Sequence, residues 1–164
     1  QSATGLPTIA YQAWWLEHCP QDLVVVLPQC PARSQWPATK FKSSLLDIVS
    51  SLVTEGVADA DRLYVTGVSM GGVAAWELAL DSVDGRAPFA AAVPVSGFVL
   101  DVKRVPLLKS FPVWAFHSAN DAVIPVDHTD SAVAAIRTSG PGKHLRYTRY
   151  DWSPPALQGG RPEA

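Results

Sequence analysis

The apolar positions of this chain follow two rhythms. Short continuous or alternating runs read as strands, and apolar residues spaced three and four apart read as helices. Leu23-Val24-Val25-Val26-Leu27 is a continuous, largely β-branched run, as expected of a strand buried on both faces. Phe41, Leu45, Ile48, Val49, Leu52 and Val53 mark one face of a helix over Phe41–Thr54, and Gly56 ends it. Arg62–Thr66 predicts a strand, Met70–Leu80 a helix, and Ala90–Val95 and Pro112–His117 two more strands. Val126–Thr138 predicts a helix stopped by Ser139-Gly140-Pro141-Gly142, and Leu145–Tyr150 alternates as a last strand. Residues 8–18 fit an amphipathic helix, Asp101–Lys109 a short one, and Ser153–Ala164 reads as coil. Strands and helices alternate, which argues for an α/β fold: a mostly parallel sheet flanked by helices on both faces. Residues 1–152 then form the α/β domain and 153–164 an irregular tail.

Composition narrows the function classes. The chain has 164 residues, of which 48% are hydrophobic and 17% charged, so it is built to bury a core and is not a disordered chain. Thirteen basic and fifteen acidic side chains leave a net charge of −2, with no basic field for a nucleic-acid partner. No apolar run approaches the roughly 18 residues that would span a bilayer. Two cysteines, Cys19 and Cys30, are too few for a disulfide scaffold and read as inert, partly buried thiols. With no visible signal peptide, this leans the expected localisation to the cytoplasm. No metal-ligand cluster and no dinucleotide fingerprint occur, so no metal and no cofactor are expected.

The candidate chemistry lies in Gly67-Val68-Ser69-Met70-Gly71-Gly72, a G-x-S-x-G match placed directly between a predicted strand and a predicted helix. A reversal this tight strains the serine backbone and projects its hydroxyl beyond the carboxyl ends of the strands. Gly67 and Gly71, without Cβ atoms, would let the turn pack closely. The backbone N–H of Met70, at a helix N-terminus, is a candidate oxyanion donor. The plainer reading of Ser69 is an ordinary helix-capping serine. A serine nucleophile needs a base oriented by a carboxylate. Asp121 follows the strand ending at His117, at the same strand-end face as Ser69, and is the candidate acid. Its plainer reading is a turn or capping aspartate, although Asp127 is better placed to cap the next helix. His117 reads as a brace for the acid loop. Trp76 and Trp114 read as core, and Trp36 either lines a pocket or packs its own loop.

Three segments together resemble the α/β-hydrolase superfamily: residues 64–72 (YVTGVSMGG), 90–97 (AAAVPVSG) and 112–117 (PVWAFH). Within it they are similar to the compact esterases, the carboxylesterase/phospholipase, dienelactone hydrolase and polyhydroxybutyrate-depolymerase-like group, including peptidases of that type. Residues 117–126 (HSANDAVIPV) match that group's H-G-x-x-D-x-x-V-P-V block, with Ser118 in place of the glycine, and residues 26–31 (VLPQCP) resemble the strand end and loop upstream. The resemblance covers roughly residues 14–150. It implies hydrolysis of a small-molecule carboxylic ester through an acyl-enzyme, with Ser69 as nucleophile and Asp121 as acid.

Two departures accompany it. The group places its catalytic histidine after the last strand, whereas Tyr150 is followed by Asp151-Trp152-Ser153-Pro154-Pro155 and no histidine occurs after His144. His18, His117, His128 and His144 are all poorly placed, so no base is assigned. The group also carries a glycine-rich oxyanion loop after an early strand, and no His-Gly pair exists here. If Leu23–Leu27 is the fourth strand of the usual eight, the third is absent, and a gap is expected beside the strand feeding Ser69. Both losses fall at the chain ends and read as a partial chain. Two alternatives to an ester hydrolase stand beside it: a catalytically inactive hydrolase-fold module for binding or scaffolding, and a serine peptidase of the same fold.

Overall fold

The computed structural model describes residues 23–31, 33–36, 39–140 and 142–152. The predicted helix over 8–18, Cys19, His18 and the tail 153–164 lie outside them. The chain divides into two compact units, Gln1–Ala58 and Asp59–Ala164.

In the first unit, helix α1 (Thr39–Thr54) forms where the three-and-four spacing predicts it. It closes at Gly56, whose φ of 71° is a left-handed cap. The N–H groups of Val57 and Gly56 reach back to the carbonyls of Leu52 and Val53, satisfying acceptors that the last turn would leave bare. Leu23–Leu27 departs from expectation. It is not a strand, and its five side chains are exposed at 38–50%. An apolar run of this kind becomes a buried strand only when neighbours hydrogen-bond to its edges and helices cover its faces. No described strand pairs with it.

The second unit is a four-stranded parallel sheet in the order β1 (Tyr64–Val68), β2 (Ala91–Val95), β3 (Val113–Ser118), β4 (Leu145–Tyr150). Helix α2 (Met70–Val83) links β1 to β2, a 3-10 helix (Val102–Ser110) links β2 to β3, and α3 (Asp127–Ser139) links β3 to β4. β1 starts and ends two residues later than predicted. Arg62 is held in a turn by Asp59, and pairing with β2 runs from Tyr64↔Ala91 to Val68↔Val95, so the strand extends into the glycine-serine motif. α2 outruns its predicted end by three residues and closes at Gly85 (φ 72°) as α1 closes at Gly56.

The core lies on one face of this sheet. Ala92, Val113 and Ala115 point to that face with the partly buried Val65, Leu145 and Tyr147, which the strand register places together. They pack against Trp76, Ala79 and Leu80 of α2, Val105 and Leu108 of the 3-10 helix, and Ala132 and Ile136 of α3. Trp76 is fully buried, as expected. Beside this core, the N–H of Leu100 donates to Glu77 at 2.9 Å, and Arg104 reaches Asp84 at 2.7 Å and Asp81 at 3.6 Å.

All three helical connections of this unit contribute to that single cluster, so they flank one face and not both. The opposite register positions, Tyr64, Thr66, Val68, Trp114, Arg146 and Tyr150, are exposed. Trp114 therefore departs from its predicted core role and is 41% exposed. Its indole N–H donates to Thr148 Oγ1 at 3.0 Å, and the Arg146 guanidinium lies 5.5 Å from its ring centre. β1 is an edge strand, so the side facing away from β2 carries no described partner.

Candidate functional site

Parallel strands end together, so the residues after β1, β2 and β3 gather at one edge of the sheet. Ser69, Ser96 and Asp121 all lie there. Ser69 follows Val68 at the junction with α2, and its backbone (φ 56°, ψ −116°) is left-handed, a sterically costly conformation for a residue with a Cβ. A capping serine has extended backbone and bonds an N–H of the first turn. Ser69 has neither feature: its side chain makes no cap bond, and it is exposed at the sheet edge. Its own N–H donates to the carbonyl of Val95 at 3.0 Å, and its carbonyl accepts the first helical bond from Val73. The strain is thus held by β2 on one side and by α2 on the other. Met70 opens α2, so its N–H has no acceptor within the helix and lies beside the serine.

The glycines divide differently from expectation. A Cβ on Gly67 would collide with the carbonyl of Gly71 and lie 2.7 Å from its Cα. A Cβ on Gly71 would meet nothing within 4 Å, so the close approach belongs to Gly67 and not to Gly71. Gly72 and Gly97 face each other: each would drive a Cβ into the other's strand-end or helix backbone, and one on Gly97 would lie only 2.7 Å from the N of Val73. They let α2 rest directly on the end of β2.

Asp121 lies in the loop after β3. Its Oδ1 accepts from the N–H groups of Val123 (2.9 Å) and Ile124 (3.0 Å), and its Oδ2 is 3.5 Å from His117 Nε2. Burial alone would push the Asp121 carboxyl up. The two backbone N–H groups, the Ser96 hydroxyl and nearby His117 outweigh it and hold the carboxyl below its ordinary range. Ser96 is itself left-handed (φ 47°), with its N–H donating to Phe116 O at 2.9 Å.

His117 is buried under the loop. Its Nδ1 is 2.8 Å from Thr129 Oγ1 and its Nε2 is 2.9 Å from the carbonyl of Ile124. Thr129, also buried, donates to Gly97 O at 3.1 Å. One imidazole and one hydroxyl thus tie β3, α3, the acid loop and the end of β2 together. His128 is exposed on α3, its ring 5.5 Å from that of Phe98. His144 precedes β4, and its carbonyl accepts from the N–H of Val113, the first residue of β3. That is the amino end of the strands, opposite Ser69. Asp127 does not cap α3. Val126 holds that position, and Asp127 lies in the first turn, where a negative charge suits the helix dipole.

Cys30 is buried, and burial pushes its thiol up. Trp36 is half-buried in the first unit. Among the described residues no three His, Cys, Asp or Glu side chains cluster as metal ligands, and no helix is long and apolar enough to cross a membrane.

Ser96, Thr129 and the packing role of Gly72 and Gly97 escaped the sequence reading. The available signal was a serine-glycine pair directly after a strand, at the level where β1 delivers Ser69.

No family model and no curated protein sequence matches the chain. Solved structures do. A thermostable esterase superposes with a TM-score of 0.67 at 32% identity, over 80% of this chain and 36% of that one. A dienelactone hydrolase from Klebsiella pneumoniae gives 0.52 at 26% identity, over 66% and 46%. An acylaminoacyl peptidase from Pyrococcus horikoshii gives 0.57 at 17% identity, over 69% and 23%, which speaks to the fold alone. The chain spans about a third of the esterase's length.

Proposed function

Because the chain belongs to the α/β-hydrolase superfamily, we propose that it carries the nucleophile and acid of a serine hydrolase acting on carboxylic esters. The observation that carries this reading is Ser69: a left-handed serine at the carboxyl end of a strand, ahead of a helix N-terminus and not spent on capping it.

In the proposed reaction Ser69 Oγ attacks the ester carbonyl carbon while its proton passes to a base. The carbonyl oxygen gains the negative charge, and the N–H of Met70 faces it. Collapse breaks the C–O bond to the alcohol, which leaves with the proton, and an acyl-enzyme remains. Water then gives a proton to the base and attacks the acyl carbon; the acyl–Oγ bond breaks, Oγ takes the proton back, and the carboxylic acid leaves. Asp121 would orient and stabilise the base once it is charged. The base itself is unassigned. His117 is committed to Thr129 and Ile124, and His144 lies at the opposite end of the strands.

That last observation favours one second reading, an inactive hydrolase-fold module. A fluorophosphonate separates the two, because it reports a reactive serine without needing turnover. Labelling of this chain at Ser69, abolished in Ser69→Ala, is the expected result. No labelling, together with no hydrolysis of p-nitrophenyl esters above buffer, would support the inert module. A peptidase of this fold must also protonate an amine leaving group. Without an assigned base, the chain should act on activated esters before p-nitroanilides, and the reverse order would favour the peptidase.

A further inference from the structure

We propose that His117 is a positioning residue held as an imidazolium: a buried cation, protonated on both ring nitrogens, that keeps the Asp121 carboxylate charged and in place. The inference rests on reading Asp121 as the acid. Counting protons fixes the state of the ring, whose side chain has no exposed surface. Nε2 is 2.9 Å from the carbonyl of Ile124, which can only accept, so Nε2 carries a proton. Nδ1 is 2.8 Å from Thr129 Oγ1. The Thr129 hydroxyl has a single proton, and the Gly97 carbonyl 3.1 Å away can only accept it. Thr129 therefore meets Nδ1 as an acceptor, and Nδ1 carries a proton as well. A neutral ring has one proton for these two nitrogens and would leave one of the three buried contacts unmade.

A buried cation needs a counter-charge. Asp121 supplies it, with Oδ2 3.5 Å from Nε2. Ile124 joins the two groups: its carbonyl accepts from the ring, and its N–H donates to Oδ1 at 3.0 Å. The other charged groups on the neighbouring elements are engaged elsewhere. Arg149, opposite His117 in β4, lies 3.3 Å from Asp130 of α3, which also accepts from Tyr147. On the same helix Asp127 is exposed, and the ring of His128 lies 5.5 Å from that of Phe98. The end of β2 contributes Ser96 and Gly97, neither of them charged. Burial would push the Asp121 carboxyl up, and the charge on His117 is among the causes that hold it down. An acid that orients a base must stay ionised, and a cation fixed beneath its loop keeps it so.

The test is nitrogen NMR of the chain, isotope-labelled in its histidine rings, at neutral pH, with through-bond correlation to the backbone assigning His117. Both of its ring nitrogens should carry protons in the parent and in Thr129→Ser, which keeps the hydroxyl. A bare nitrogen in the parent overturns the proposal. Asp121→Asn removes the counter-charge, so its His117 ring should give up one proton at the same pH. A ring that stays doubly protonated there overturns the pairing with Asp121. The Asp121 carboxyl is followed by carbon-detected NMR against pH in the parent and in His117→Gln, whose amide can still donate to Ile124 but carries no charge. The carboxyl midpoint should rise in that variant, and an unchanged midpoint overturns the claim that His117 keeps Asp121 ionised. Fluorophosphonate labelling of Ser69 is recorded on the same parent protein. If the parent is not labelled, the hydrolase reading fails, while the ring spectrum still decides the state of His117.

Discussion

Gly71 and Gly72 are adjacent in the chain, and both lie in the first turn of α2, yet alanine should act on them with opposite sign. A methyl on Gly71 meets nothing within 4 Å, and alanine is the better helix former, so Gly71→Ala should be neutral or stabilise by up to about 1 kcal/mol. A methyl on Gly72 would collide with the carbonyl of Val95 and lie 3.1 Å from both N and Cα of Gly97. Those neighbours are backbone, so no side chain can turn aside. The helix must lift from the end of β2, and overpacking of this kind costs about 1–3 kcal/mol. Lifting also stretches the 3.0 Å bond from Ser69 N–H to Val95 O, worth about 1 kcal/mol more. After the gain in helix propensity, Gly72→Ala should be destabilised by about 1–3 kcal/mol. The two variants then differ by about 2 kcal/mol, or about 1 M in urea midpoint for a slope near 2 kcal/mol per M. Urea unfolding followed by far-UV circular dichroism measures this directly. Coincident midpoints would refute the claim that direct backbone contact holds the junction of β1 and α2 in place.

Three more outcomes follow from the same geometry. Thr129→Val keeps the volume but strips a partner from buried His117 Nδ1 and from Gly97 O; it should cost about 2–4 kcal/mol in urea unfolding, while Thr129→Ser should stay within about 1. Trp76→Ala should cost about 3–5 kcal/mol and Trp114→Ala clearly less, because only the first is fully enclosed; equal losses would contradict the bare outer face of the sheet. The native Asp121 carboxyl titrates below its unfolded value, so its stabilising contribution is complete above about pH 4 and is lost as pH falls through the native midpoint. Urea midpoints of Asp121→Asn should lack that acid loss, and a parallel fall in parent and variant would show that Asp121 contributes nothing to it.

Local pattern was enough for much of this molecule. Three-and-four spacing placed α1, alternation placed β4, and runs of strand- or helix-forming residues placed β2, β3, α2 and α3, each to within a few residues, because these preferences are local. The glycine-serine motif between strand and helix located Ser69, and chain order with strand polarity located Asp121 at the same edge. Other features depended on partners distant in sequence. Leu23–Leu27 has the composition of an inner strand and is none, since pairing requires a neighbour as well as a pattern. Trp114 and Ala115 are adjacent and equally apolar, and only the placement of every helix of that unit on one face decides that the first is exposed and the second buried. Ser96 is unremarkable in sequence. A left-handed turn, taken between two strands that the chain delivers far apart, ties its N–H to the carbonyl of Phe116. Sequence alone determines which residues can do the chemistry and which segments can be strands or helices, because those are local properties of side chains. Which of them meet is decided by tertiary structure, because contact across a sheet depends on register, on the end at which each strand stops, and on which face the helices cover.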